Sequence, residues 1–169
     1  RIETGRMARQ ADGAVVVTYG ETTVLATAVA ARSEKPGIDF FPLTVEYEEK
    51  YYATGKILGS RFIKRETRPS EEATLAARLI DRAIRPRFDM RMRNEVQVVV
   101  TVLSIDEEND PEFVGLIGAS VALSTSNIPW NGPAAGMRVA RIGGEIKINP
   151  TNSEVRSSSG EGATFDAFV

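Results

Sequence analysis

The chain has 169 residues, 42% of them hydrophobic, which is enough to bury one core of ordinary domain size. It contains no cysteine, which excludes a disulfide framework, a thiolate metal site and a cysteine nucleophile. It also contains no histidine, so the commonest general base near neutral pH and the commonest zinc ligand are missing. The net charge is only −2, but residues 56–93 hold 11 Lys and Arg against 5 Asp and Glu, so this stretch predicts a basic face. No apolar run is long enough to span a bilayer, and no signal-peptide pattern opens the chain. We therefore expect a cytoplasmic protein without membrane contact.

The first half of the chain has the composition and periodicity typical of β-strands. Residues 14–19 and 22–31 are rich in β-branched and apolar side chains, and Gly20-Glu21 between them predicts a hairpin turn. Residues 41–52 alternate apolar and polar side chains, which predicts a strand with one solvated face.

A loop over residues 53–69 leads into the first predicted helix. Ser70 is placed to cap its first turn and Pro86 to end it. The predicted apolar stripe consists of Leu75, Leu79, Ile80 and Ile84.

Three arginines, Arg78, Arg82 and Arg85, share another face of this helix. They form either an electropositive stripe that faces a polyanion or a neighbouring subunit, or a solvated face on which Asp81 pairs with Arg78 and Arg85. We favour the ion pairs or a subunit contact.

Residues 94–105 form a nearly continuous apolar run, which predicts a central strand covered on both faces. The acidic residues from Asp106 to Asp110 follow. They could be read as a magnesium site, but their spacing matches no ligand loop, so a charged turn is the better interpretation. The second predicted helix spans residues 111–126, and its small residues, Gly115, Gly118, Ala119 and Ala122, would let it lie close on a sheet.

The last part predicts a second hairpin, residues 137–142 and 145–148, joined at Gly143-Gly144. Trp130 is expected to be buried as cover for the second helix. Residues 152–162 are rich in serine and glycine and are expected to be mobile. Residues 165–169 begin a strand, so the domain is expected to be truncated at its C-terminal end.

Several ordered segments resemble a known family: ETGRMARQADGAVVVTYGETTVLATAVA, FIKRETRPSEEATLAARLIDRAIRP, NEVQVVVTVLSID, GLIGASVALSTSNIPWNGP and INPT. Together they resemble the first RNase PH-like core domain of the bacterial polynucleotide phosphorylases. The resemblance implies an α/β (α+β) fold, a mixed β-sheet with covering helices in a βαβα ribosomal-protein-like architecture. Residues 1–169 would be one such domain. The second core domain and the KH and oligonucleotide-binding barrel domains of the family would be absent from this chain.

The resemblance also implies an activity for the full-length family member. Three subunits form a ring around a channel for single-stranded RNA, and the enzyme degrades mRNA by 3′-to-5′ phosphorolysis. Inorganic phosphate is consumed, nucleoside diphosphates are released and Mg²⁺ is required, although we do not expect this domain to bind it.

The segment from Phe62 to Arg65 matches the family's channel loop. Phe62 could stack on a base while Lys64 and Arg65 contact phosphates, a grip that does not read sequence. Arg61 and Arg68 extend the predicted RNA-binding set. The alternative is that Phe62 fills a local core and the charges are solvated. Thr67 stands where the family commonly has glycine, which implies a changed loop path.

The catalytic second core of the family carries a Gly-Ser-Ser-Ser turn and an Asp-Phe-Lys triplet, with a further Asp six residues before the triplet. The matching positions here hold Asn109 to Glu112, then Asp166 to Phe168, and Gly160. The acids would repel phosphate and the proline has no amide N–H to donate to it, so we expect no catalytic residue in this chain. Two alternatives stay open, a stand-alone catalytic RNase PH-type exoribonuclease and a purely structural assembly domain.

Overall fold

The computed structural model describes residues 1–57, 68–156 and 163–169. The first sheet of this part of the chain has five strands in the order β1-β2-β3-β5-β4. Their bounds are β1 Ile2–Thr4, β2 Gly13–Tyr19, β3 Thr22–Glu34, β4 Leu43–Glu48 and β5 Asn94–Ser104. The pairs are antiparallel except β4 with β5, which is parallel. The predicted β2–β3 hairpin is confirmed, and β4 is shorter than predicted because a 3-10 helix, Tyr51–Thr54, follows it.

Two helices of 14 residues, α1 (Glu71–Ile84) and α2 (Pro111–Ser124), cover one face of this sheet. The close approach predicted for α2 is confirmed. A Cβ added at Gly115 would lie 3.0 Å from the Val100 side chain, and one added at Gly118 would lie 3.0 Å from that of Ala26. Larger residues at these two positions would push α2 away from β3 and β5. Within the described residues, no helix is long and apolar enough to cross a membrane.

Strand β5 is central in the sheet, but the prediction that both its faces are covered is wrong. Val96, Val98, Val100 and Val102 are fully buried beneath the helices. On the opposite face, Gln97 is exposed and Val99 and Thr101 are half-buried. Both covering helices lie on the same side, because the buried residues of β2, β3 and β5 form one cluster with those of α1 and α2.

Helix α1 begins as predicted. The Ser70 hydroxyl accepts a hydrogen bond from the Ala73 N–H at 2.9 Å, and Glu71 and Glu72 occupy the first turn. The predicted apolar stripe is wrong at Leu75, which is 64% exposed. The buried stripe consists of Ala73, Ala76, Ile80 and Ile84. Alanines at the start of the helix allow close contact with β4, so the large Leu75 side chain stays outside.

Trp130 is half-buried against the hydrophobic core, and its polar contact is with the end of α1. Its indole N–H donates to the Ile84 carbonyl at 3.3 Å, and its ring lies 6.3 Å from that of Phe88.

A second sheet of the described residues has three antiparallel strands, β7-β6-β8, with β6 Arg138–Ile142, β7 Glu145–Ile148 and β8 Phe165–Phe168. The predicted hairpin is confirmed. Both turn glycines have positive φ, 60° at Gly143 and 87° at Gly144, which is typical of a two-residue type I′ turn.

The prediction of a mobile stretch from residue 152 is wrong for its first five residues, which form α3 (Asn152–Arg156). Thr151 and Glu154 form a capping box, because each side chain accepts a hydrogen bond from the other's backbone N–H, at 3.0 and 3.3 Å. The Thr-x-x-Glu spacing in the sequence was the signal for this helix.

Candidate nucleic-acid interface

The predicted RNA-binding segment is only partly within the described residues. Arg61, Phe62, Lys64 and Arg65 lie outside them. Arg68 lies within them and is exposed. The RNA contacts of these five residues therefore remain a prediction. The structure describes the residues on either side of the segment, up to residue 57 and from residue 68.

Both ends of the segment lie where β4 ends. On one side, the Lys56 N–H donates to the Tyr51 carbonyl at 3.1 Å. On the other side, the Ser70 hydroxyl donates to the Glu49 carboxylate at 2.6 Å. Lys56 and Ser70 are thus both bound near the same end of the sheet.

A groove lies between the end of β4, the 3-10 helix and the first turn of α1. Its lining includes Lys50, Tyr51, Arg68, Ser70 and Glu72. Tyr51 at its edge is 41% exposed, and the neighbouring Tyr52 is 56% exposed. Exposed aromatic rings beside lysine and arginine have the chemistry needed to stack bases and contact phosphates. The groove also carries acidic side chains, so its described part is mixed in charge rather than basic.

The arginines of α1 divide into two kinds. Arg85 donates to both carboxylate oxygens of Asp81, at 2.7 and 2.9 Å, and to the Leu43 carbonyl at 3.0 Å. It ties the end of α1 to β4, and the predicted ion pair of Asp81 with Arg85 is confirmed. Arg78 and Arg82 are exposed. The predicted pair of Asp81 with Arg78 is not formed among the described residues.

The acidic segment after β5 is a turn organised around Asp106. One Asp106 oxygen accepts from the backbone N–H groups of Glu108 and Asn109, at 3.0 and 2.8 Å. The other accepts from the backbone N–H of Glu21 and the Asn109 side chain, at 2.9 and 2.7 Å. Burial would raise the pKa of Asp106, but these hydrogen bonds outweigh it and hold the pKa well below its usual range. The prediction of a charged turn is confirmed.

Sequence reasoning missed a side chain near this turn that forms several ion pairs and hydrogen bonds, Arg138 at the start of β6. Its guanidinium donates to Asp166 at 2.7 and 2.9 Å and to Asp110 at 2.8 Å. Side-chain hydrogen bonds from Arg138 lower the pKa of Asp166. The resemblance found in the sequence matches these two aspartates to the phosphate turn and to the Asp-Phe-Lys triplet of the catalytic core. The structure therefore brings these positions together, with an arginine between them. Of the remaining matched positions, Gly160 lies outside the described residues.

In the ranges 1–57, 68–156 and 163–169, no group of three or more Asp, Glu, His or Cys side chains is arranged to hold a metal ion. Asp110 and Asp166 have the right chemistry for Mg²⁺, but both are bound to Arg138. The residues present do not fit a divalent cation at this position.

Comparison with known proteins identifies the family. Residues 1–129 match the model of the 3′ exoribonuclease family, domain 1. The chain is 61% identical over 158 residues to a polyribonucleotide nucleotidyltransferase of Methylocella silvestris, covering 94% of this chain and 22% of that protein. A polyribonucleotide nucleotidyltransferase of Thermomicrobium roseum is 60% identical, with 93% and 20% covered. The chain thus spans about a fifth of the length of the curated relatives it matches.

Solved structures agree on the fold. The chain is similar to a chain of the Archaeoglobus fulgidus exosome with RNA bound to the active site, with a TM-score of 0.67 and 18% identity. The match covers 95% of this chain and 68% of that one. At this identity the similarity speaks for the fold alone, and it confirms the predicted RNase PH-like architecture of mixed sheet and covering helices. By its match over residues 1–129, the chain belongs to the 3′ exoribonuclease family, as its domain 1.

Proposed function

We propose that this chain is the first RNase PH-like core domain of a polynucleotide phosphorylase. Residues 1–169 form part or all of that one domain, and a second core domain, KH domain and oligonucleotide-binding barrel follow it in the full-length protein. The support is the identity of about 60% to polyribonucleotide nucleotidyltransferases over nearly the whole chain.

In this proposal the full-length protein is a cytoplasmic homotrimer that degrades mRNA from its 3′ end. It consumes inorganic phosphate and releases nucleoside diphosphates. The Mg²⁺ that this reaction requires is held elsewhere in the polypeptide, because the two aspartates at the corresponding position of this chain are bound to Arg138. The present domain contributes RNA contacts and subunit contacts.

The observation that carries the RNA-binding role is the anchoring of residues 56 and 70 to the same end of β4. In this proposal the Phe62 ring stacks on a base while Lys64 and Arg65 contact adjacent phosphates. Tyr52, Lys56 and Arg68 beside the segment add exposed groups of the same kind.

Fluorescence anisotropy with a short single-stranded RNA across a salt series tests this role. We expect Lys64→Ala/Arg65→Ala to bind more weakly, with a log–log salt slope shallower by about 1.4, since each phosphate contact on a single strand contributes about 0.7. The matched control is Arg87→Ala/Arg91→Ala, which removes two exposed arginines at the other end of α1. That end is about 20 Å away for a helix of this length.

Equal losses in the two double variants would mean that only net charge matters. No loss in either would favour the structural assembly role, and the pair should then be compared in the full-length ring. Release of nucleoside diphosphates from RNA by this chain with phosphate and Mg²⁺ would instead establish a stand-alone exoribonuclease.

A further inference from the structure

The Arg138 side chain is largely buried and extensively hydrogen-bonded. Its side chain is only 12% exposed. Four hydrogen bonds leave its guanidinium: Nε to Asp166, Nη2 to Asp166, Nη1 to Asp110 and Nη1 to the Asn152 side-chain oxygen, at 2.9, 2.7, 2.8 and 2.6 Å. The Phe168 ring lies 5.5 Å below it. A guanidinium with four of its five donors occupied has little capacity left for an external anion.

The partners of Arg138 come from three different elements. Asp110 precedes α2, Asn152 begins α3 and Asp166 lies in β8. The Asn152 amide closes the arrangement, because its nitrogen donates to the second Asp110 oxygen at 3.1 Å while its oxygen accepts from Arg138. Two carboxylates and an amide oxygen converging on one centre is the arrangement of ligands that hard divalent cations take. Here a side-chain cation occupies the centre.

We propose that Arg138 is a built-in substitute for a divalent cation, which neutralises Asp110 and Asp166 and closes this position to both metal and phosphate. This inference rests on the proposed function in one respect only. It takes the catalytic core domain of the same protein as the place where the matching position is open to metal and phosphate. The occupied guanidinium excludes phosphate because its donors are used. It excludes a metal ion because its own positive charge sits between the only two carboxylates that converge there among the described residues.

Removal of the Arg138 side chain would leave two unpaired aspartates beside an existing cleft. Without Arg138, Asp110 and Asp166 would share one partly enclosed site with no counter-charge. Asp166 is 31% exposed, so solvent ions can reach it. A small cleft of about 40 Å³ already lies beside Arg138, lined by Tyr19, Asn109, Asp110, Phe113, Asn149 and Pro150. It has room for about one water molecule, and loss of the guanidinium would enlarge it.

Mn²⁺ binding to the Arg138→Met variant tests the inference. Methionine keeps an apolar stem and removes the charge. We expect the variant to bind Mn²⁺ at least ten times more tightly than the wild type, measured by electron paramagnetic resonance of free Mn²⁺, and to show a Tm that rises with MnCl₂ but not with NaCl of equal ionic strength. The double variant Arg138→Met/Asp166→Asn should lose this gain, because it lacks one of the two carboxylates.

A charge-conserving variant and a second readout serve as controls. Arg138→Lys retains the positive charge and should not gain Mn²⁺ affinity. If Arg138→Met is unfolded without metal, folding on addition of Mn²⁺, followed by circular dichroism, replaces the Tm as the readout.

The inference is overturned if Arg138→Met gains no affinity, or if the wild type binds Mn²⁺ in a manner that Asp166→Asn abolishes. RNA affinity of the same variants is measured separately. A failed Mn²⁺ test with intact RNA binding contradicts this inference and leaves the proposed function standing.

Discussion

The two helices that cover the sheet have the same length but begin in different ways. At α1, the Ser70 hydroxyl caps the first turn and two exposed acids follow. At α2, Asp110 stands in the cap position but its carboxylate makes no capping hydrogen bond. It binds Arg138 and Asn152 instead, and Pro111 at the next position has no N–H to be capped. The start of α1 therefore has a cap formed within its own first turn, whereas the residue before α2 bonds to side chains from β6 and α3.

The bonds made by Asp110 and Asn152 connect separate parts of the molecule. Asp110 is used as a link between the two sheets rather than as a cap. The Asn152 side chain also joins α3 to the turn before α2 by donating to the Glu107 carbonyl at 3.0 Å. We therefore expect changes at the α2 start to affect the β6–β8 region more than changes at the α1 start.

The largest effect is expected from Asp110→Ala, which would break the link at α2. The change leaves Arg138, 12% exposed, with one carboxylate instead of two. Breaking a fully buried ion pair costs roughly 3–5 kcal/mol. We expect about 2 kcal/mol of lost stability here because Asp166 remains as a partner, measured by urea denaturation. Asp89→Ala is the control, since Asp89 and its partner Arg91 are well exposed and no measurable change is expected. An equal loss in both variants would remove the distinction between a link and a surface pair.

The same contrast explains which features the sequence could predict. The Ser70 cap, the β6–β7 turn at Gly143-Gly144 and the close packing of α2 depend on neighbours in sequence or on residue size, and all three were predictable. Arg138 was missed because both of its carboxylate partners are 28 residues away, one on each side. No local pattern marks such a residue.

Two further errors have related causes. The apolar character of Leu75 predicts that it belongs to the buried stripe, but the face of α1 that packs on the sheet carries Ala73 and Ala76. Only tertiary packing decides which face of the helix is buried. Strand β5 is predicted to be covered on both faces because of its run of valines, but Glu95, Gln97 and Thr101 alternate with the buried valines. This two-residue period already indicated in the sequence that the second face is partly polar.

A smaller loss is expected from Ser70→Ala at the start of α1. The variant removes the hydrogen bond from the Ala73 N–H and the bond to Glu49, and an N-cap of this kind contributes about 1 kcal/mol. Thr74→Ala is the matched control, because its exposed hydroxyl binds a helix carbonyl, that of Ser70, which the Thr74 N–H already satisfies. Urea midpoints of the two variants check the prediction. If Ser70→Ala matches Thr74→Ala, α1 does not depend on its cap.

The smallest effect, and the only one of opposite sign, is expected from Glu112→Gln in the first turn of α2. Burial raises the pKa of Glu112, and the charges of Asp110 and Glu49 raise it further, against a lowering by Arg138 and by the glutamate's own backbone N–H. A raised pKa in the folded state means that the stability contribution of Glu112 is present below its unfolded value of about 4.3 and is lost as the pH rises through the folded value. Glu112→Gln should therefore resemble the wild type near pH 4 and be slightly more stable at pH 7, by less than the loss in Ser70→Ala. Glu72→Gln, in the exposed first turn of α1, should be slightly destabilising at pH 7, because an exposed acid is favourable at a helix N-terminus. If both glutamine variants change stability in the same direction at pH 7, burial does not distinguish the two helix starts.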